Sequence, residues 1–139
     1  MKTKKESKVK TIIVLLMVAT LFSSCKEDYE KKGYLVGTKW ERTSKYNEDL
    51  KEKRYWQSGD WSHVFEFSSK DKVFDYYARN GHVDGIMYEY KYSYSYPKLI
   101  IYADTADLEF EFSNAKEFNR VIGDVSSWNF EVHSYHIMQ

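Results

Sequence analysis

The chain of 139 residues holds one cysteine, one proline, six glycines and no surplus of charge, with 21 basic and 21 acidic residues. Each shortage removes a class of protein. A single thiol cannot close an intrachain disulfide, so the fold must stand on packing alone. One proline and six glycines in a mixed composition exclude a collagen-like or low-complexity chain. Without a basic excess there is no electrostatic footprint for nucleic acid. The apolar run Thr11–Phe22 has 12 residues, against the roughly 20 that a membrane-spanning helix needs. No GxSxG elbow, Gly-rich phosphate loop or nucleophile beside a base is present. These absences give no support to an enzyme, and none to a cofactor.

What is present begins with an address. Lys2, Lys4, Lys5, Lys8 and Lys10 precede the uncharged run Thr11–Phe22, which ends at Ser23, Ser24 and Cys25. A basic start, an apolar stretch of roughly 7–15 residues and small residues before a cut form the pattern of a secretory signal peptide, here 1–24. The stretch LFSSC resembles the lipobox of bacterial lipoproteins. That resemblance implies that Cys25 is the first mature residue, acylated with palmitate-type chains and anchored to the outer membrane of the cell envelope. A thiol between a cleavage signal and a charged tether has no pocket around it that would make it a nucleophile. The tether, 25–35, contains KEDYEKK, a solvated segment without apolar periodicity. Lys26-Glu27-Asp28 also resembles the charged export signal of Bacteroidetes lipoproteins, which implies transport to the cell surface, although any polar tether reads the same way.

Five basic residues and one acid leave with the signal, so the mature chain has 16 basic against 20 acidic residues. A mildly negative domain on a lipid tether is held off the membrane surface rather than lying on it. Aromatic residues are plentiful: 13 tyrosines, eight phenylalanines and four tryptophans, side chains that suit the half-buried face of a sheet. In DGIMYEYKYSYSY, Ile86, Tyr88, Tyr90, Tyr92, Tyr94 and Tyr96 alternate with Met87, Glu89, Lys91, Ser93 and Ser95. A period of two over this length predicts a long strand with one apolar and one wet face. DLEFEF and SSWNFEVHSYHI repeat the pattern, and KLIIYA is apolar on both faces.

Turn signals separate these runs, Asn80-Gly81 being the strongest because that pair suits a type I′ hairpin. The spacing predicts strands near 37–45, 51–57, 61–68, 72–79, 83–95, 98–103, 106–112, 116–122 and 127–137, with a short helix as the other option for the start of 47–56. Eight or nine short strands with tight turns predict an all-β antiparallel meander in one domain, 36–139, closing into a small barrel. An open curved sheet or a β-sandwich is the alternative.

GTKWERTS, Gly37–Ser44, places a glycine shortly before a tryptophan on the first strand. This resembles the opening of lipocalin-like domains, including those of small Bacteroidetes lipoproteins. The resemblance implies that Trp40 closes one end of the barrel, that Arg120 of EFNRVIG stacks against it, and that the barrel holds a small apolar or amphipathic ligand.

Candidate sites follow from the pattern. Tyr88, Tyr90, Tyr92 and Tyr94 either line a ligand cavity with rings and hydroxyls or fill the core. His133 and His136 lie three apart on a strand, hence on opposite faces, and no acid or thiol cluster completes a metal set. Asp107, Glu109 and Glu111 share one strand face, whereas paired catalytic acids of glycosidases come from different strands across a cleft. Trp56 and Trp61 flank the SGD turn in YWQSGDW, either as a cross-strand pair closing a hairpin or as a platform for sugar rings. Two functions remain. A lipid-anchored binder of a small amphipathic molecule would show a cavity along the tyrosine face. A surface or periplasmic interaction protein, with a protein or glycan partner, would show a filled barrel and exposed aromatics at one loop end.

Overall fold

The computed structural model describes residues 30, 31, 34–57 and 59–138. The signal segment, Cys25, most of the tether and Ser58 lie outside the described residues. Nine strands make up the domain: β1 (Lys39–Asn47), β2 (Glu52–Tyr55), β3 (Ser62–Phe67), β4 (Lys72–Arg79), β5 (His82–Ser95), β6 (Lys98–Tyr102), β7 (Asp107–Asn114), β8 (Glu117–Asp124) and β9 (Asn129–Ile137). The period of two that predicts them is also what buries them. In β7, Phe110 and Phe112 are buried while Glu109 and Glu111 are exposed. Residues 47–56 form a turn and a strand, not a helix. Asn80 and Gly81 both take positive φ, 51° and 78°, the combination a two-residue I′ turn demands.

All pairings are antiparallel, and β3 to β9 follow one another as a meander. β1 then pairs with β9 from Trp40↔Ile137 to Asn47↔Glu131, with an extra residue at Thr43. That pairing joins the two ends of the meander and closes an eight-stranded, lipocalin-like barrel, so that only the short extra strand β2 keeps a free edge. β2 is the additional strand. It folds back on the second half of β1 (Ser44↔Tyr55 to Asn47↔Glu52), while β3 takes the first half (Lys39↔Glu66 to Glu41↔Val64). Residues 56, 57 and 59–61 lie outside the strands, and Trp56, Gln57, Gly59 and Asp60 border a cleft with Arg42 and Thr43.

The two ends of the barrel differ. At one end the rings pack without a gap between them. Trp40 is fully buried, 4.8 Å from Phe118 and 5.5 Å from Phe112, and Phe118 stacks on Tyr135 at 5.3 Å. Leu35, from the turn that leads into β1, is buried in the same cluster. The Trp40 indole N–H donates to Thr38 Oγ1 (2.8 Å), whose hydroxyl donates to the Leu35 carbonyl (2.6 Å). Trp40 therefore closes this end as expected. The arginine stack does not form: among the described residues no cation lies over Trp40. Arg120 pairs with His133, one inward rung beyond the Phe118↔Tyr135 pair, so the ring of Phe118 fills the place against the indole.

Candidate functional site

The tyrosine strand divides between the two ends. Tyr92 and Tyr94 are buried, their rings packed at 4.8 Å on Phe67 and 5.5 Å on Phe112 respectively. The Tyr92 hydroxyl donates to the Ser69 carbonyl (2.6 Å), and burial, with Asp71 nearby, pushes its pKa up to about 12. These two rings are core. Tyr90 is half-buried and Tyr88 is 46% exposed, and their rings lie 3° from parallel at 6.0 Å near the open end. Glu89 and Lys91 face water. A bulge in β5 sets residues 85–87 opposite Tyr76 alone, with Gly85 at φ 72°. Beyond it Ile86 is 67% exposed, so the apolar alternation of the sequence outlasts the burial.

Above the packed rings the barrel interior turns polar. Burial holds the Tyr135 phenol far above its usual range, so it stays protonated and donates to His63 Nδ1 (2.7 Å). His63 Nε2 then donates to Asp75 Oδ1 (2.5 Å), and the imidazole stacks on Tyr77 at 4.9 Å. Both ring nitrogens of His63 and the Tyr135 hydroxyl have partners, which makes this chain a lid on the aromatic core rather than an exposed nucleophile.

The next layer is basic. Trp40 and Arg42 share the inward face of β1, because Arg42 pairs with Tyr135. The Thr43 bulge then restores Lys45 and Asn47 to that face, opposite His133 and Glu131. β2 contributes Arg54, and Trp56 follows immediately, tied to β1 by its N–H on the Thr43 carbonyl (3.0 Å). The Arg42 guanidinium lies over the Trp56 ring at 4.1 Å and Arg54 at 5.4 Å. Burial, reinforced by Arg42, lowers the His133 pKa against the opposing pull of Glu131. Neutral His133 donates from Nε2 to Glu131 (3.1 Å), which leaves Nδ1 to accept an N–H of Arg42 (3.3 Å).

Two clefts meet at the Arg42–Trp56 stack. The larger, about 430 Å³, lies between β1 and β2 and is bordered by Arg42, Lys45, Glu52, Lys53, Arg54 and Trp56. Four of these are basic and one is acidic. The smaller, about 270 Å³, is bordered by Trp56, Gln57, Gly59 and Asp60 and reaches the Asn80-Gly81 turn. A volume of this size, with one aromatic wall and a few convergent polar groups, suits a small organic molecule. None of the four ladder tyrosines borders either cleft.

The remaining sequence candidates are scattered. His136, on the outer face of β9, contacts Thr43 Oγ1 (2.5 Å) and Glu117 (3.5 Å), away from His133. Asp107, Glu109 and Glu111 form an exposed row outside the barrel. Trp56 and Trp61 do not close a hairpin, since β2 and β3 both pair with β1 and not with each other. Each instead carries an arginine, with Arg79 5.3 Å from Trp61. Sequence reasoning passed over Arg42 and Arg54. One signal was available: Arg42 stands two residues beyond Trp40, a charge on the face that alternation assigns to the core. Compared with family models, curated proteins and solved structures, the chain matches none.

Proposed function

We propose that this is a lipid-anchored binding protein of the bacterial cell envelope, not an enzyme, which takes a small amphipathic molecule at the open end of its barrel. The observation that carries the proposal is the cleft of about 430 Å³ with Trp56 as its wall. The packed rings of the opposite end leave the ligand only the mouth, and none of the four ladder tyrosines borders the cleft there. The anchor in this proposal is a lipid on Cys25, motivated by the basic start, the short apolar run and Ser23-Ser24 ahead of the cysteine. Leu35 is packed with Trp40 at the plugged end, so the mouth opens at the end away from Leu35.

Mass spectrometry of small molecules released from the purified protein tests the binding, and an apolar or amphipathic compound lost in Trp56→Ala is the expected result. Cys25→Ala tests the anchor: it should abolish labelling by a palmitate analogue, and continued labelling at the membrane would refute lipidation. A second function, docking of a protein or glycan, is favoured by one observation. Leu50, Trp61, Ile86 and Trp128 are 62%, 42%, 67% and 70% exposed, and all four stand at the open end. Solitary exposed hydrophobics are ordinary, whereas a set of them around one rim marks a contact surface. Recovery of a stoichiometric macromolecular partner in place of a small molecule would move the assignment to this second function.

A further inference from the structure

We propose that the β1–β2 cleft recognises an anionic group on its ligand, a carboxylate or a phosphate, with Arg42 and Arg54 as ion-pair donors and Trp56 as the wall for the adjoining body. This rests on the small-ligand function above and names the chemistry the ligand must carry.

The argument starts from charge without a counter-charge. Arg42 is drawn into the barrel, where a guanidinium is costly unless it is paired. Its contacts are the Trp56 ring and the neutral His133, and its buried Nε–H has no hydrogen-bond partner. The carboxylate of this layer, Glu131, is already engaged by Lys45 (3.1 Å), His133 (3.1 Å) and Asn47 (3.3 Å). Arg54 also makes no ion pair among the described residues. Two guanidinium groups thus share one indole and repel each other, a strain that an anion between them would remove.

The donor set also selects the ligand's shape. Guanidinium groups present planar forks matched to the two oxygens of a carboxylate or a phosphate, and they stack on aromatic rings while doing so. Trp56 holds both forks at the rim of the cleft, which spares the ligand the cost of ordering them. A neutral ligand would cover Trp56 and leave both charges uncompensated. A purely inorganic anion would leave most of the 430 Å³ unfilled. The combination fits an organic anion with a flat or apolar body.

Calorimetric titration of the full chain in a nonionic detergent, against a detergent blank, tests this with three probes: 2-naphthoate, the uncharged 2-naphthylmethanol and inorganic phosphate. Binding of 2-naphthoate, weakened about tenfold in Arg42→Gln or Arg54→Gln as expected for loss of a charged hydrogen bond, supports the proposal. Arg54→Lys should recover part of the loss. Arg54 lies on the exposed strand β2, so its variants keep the test valid if Arg42→Gln fails to fold. Displacement of 2-naphthoate by inorganic phosphate, but not by acetate, would assign the anion as phosphate, and the reverse as carboxylate. Equal affinity for 2-naphthoate and 2-naphthylmethanol, indifferent to both arginine variants, would overturn the anion proposal while the small-ligand function stands. Failure of all three probes to bind would overturn both.

Discussion

Replacing Trp40 by alanine should cost this domain a large part of its stability, and the structure says how much. The side chain is fully buried, contacts Phe118 and Phe112 edge-on or tilted, and links through Thr38 to the turn that seals the barrel. A large buried aromatic truncated to alanine loses its transfer free energy and leaves a cavity, together about 3–5 kcal/mol. The neighbours cannot collapse into the space, because Phe112 and Phe118 are themselves fixed by ring contacts on their other sides. A domain of this size has about 5–15 kcal/mol in all, so roughly a fifth or more would go. At about 4–8 °C per kcal/mol for a small domain, the melting temperature should fall by about 12 °C or more. Trp40→Phe separates the two contributions. It keeps a six-membered ring and removes the indole N–H with the rest of the five-membered ring, which should cost about 1 kcal/mol for the hydrogen bond plus the cavity left by the lost ring atoms. Urea unfolding followed by far-ultraviolet circular dichroism measures both variants without relying on the tryptophan signal that is being removed. If Trp40→Ala moved the midpoint by less than about 1 kcal/mol at unchanged slope, the account of this end as a tightly packed plug would be wrong.

Three further outcomes follow from the same contacts. His133 is held below its ordinary pKa, chiefly by burial, so the unfolded chain binds its proton first as pH falls. Stability should therefore drop from pH 7 through about 6.5 and on towards the lower folded pKa, and His133→Gln should flatten urea midpoints measured across that interval. Tyr92→Phe removes a hydroxyl whose acceptor is the Ser69 carbonyl and should cost about 1 kcal/mol. Tyr88→Phe at the open rim should leave the midpoint unchanged, and equal losses in the two would contradict the division of the ladder. His63→Leu strips partners from both the Tyr135 hydroxyl and the Asp75 carboxylate and should cost about 2–3 kcal/mol. A double-mutant cycle with Tyr135→Phe should then show strong coupling, and additive effects would mean the three groups do not act as one chain.

The legible part of this protein was local. Strand boundaries agree to within about two residues because alternation and turn chemistry are properties of neighbouring residues. β4 begins and ends where the spacing predicts, and Asn80-Gly81 makes the turn its side chains favour. The burial of Trp40 was expected on a different ground, the resemblance of Gly37–Ser44 to the opening of lipocalin-like domains. Two expectations failed where the answer depended on which strand comes to lie beside which. The second strand was expected to pair with the third across the SGD turn, but closing the barrel gives both of them to β1. Arg120 was expected at Trp40, but register sets it beside His133, and Phe118 takes the contact.

The candidate site shows the division most clearly. By itself the sequence determined an all-β chain of eight or nine strands with an aromatic interior, since both rest on composition and on a period of two. It could not determine whether the tyrosine face lines a cavity, because the same alternation describes a ring that meets solvent and a ring that meets Phe67. Only the tertiary structure decided that Tyr92 and Tyr94 fill the core while Tyr88 and Tyr90 approach the mouth. Only the closure of β1 onto β9, with its bulge at Thr43, aligned Lys45 with His133 and left Arg42 inside. Only the return of β2 along β1 brought Arg54 and Trp56 beside Arg42, because which residues of a hairpin share a face is set by the register of its strands and by the bulge at Thr43.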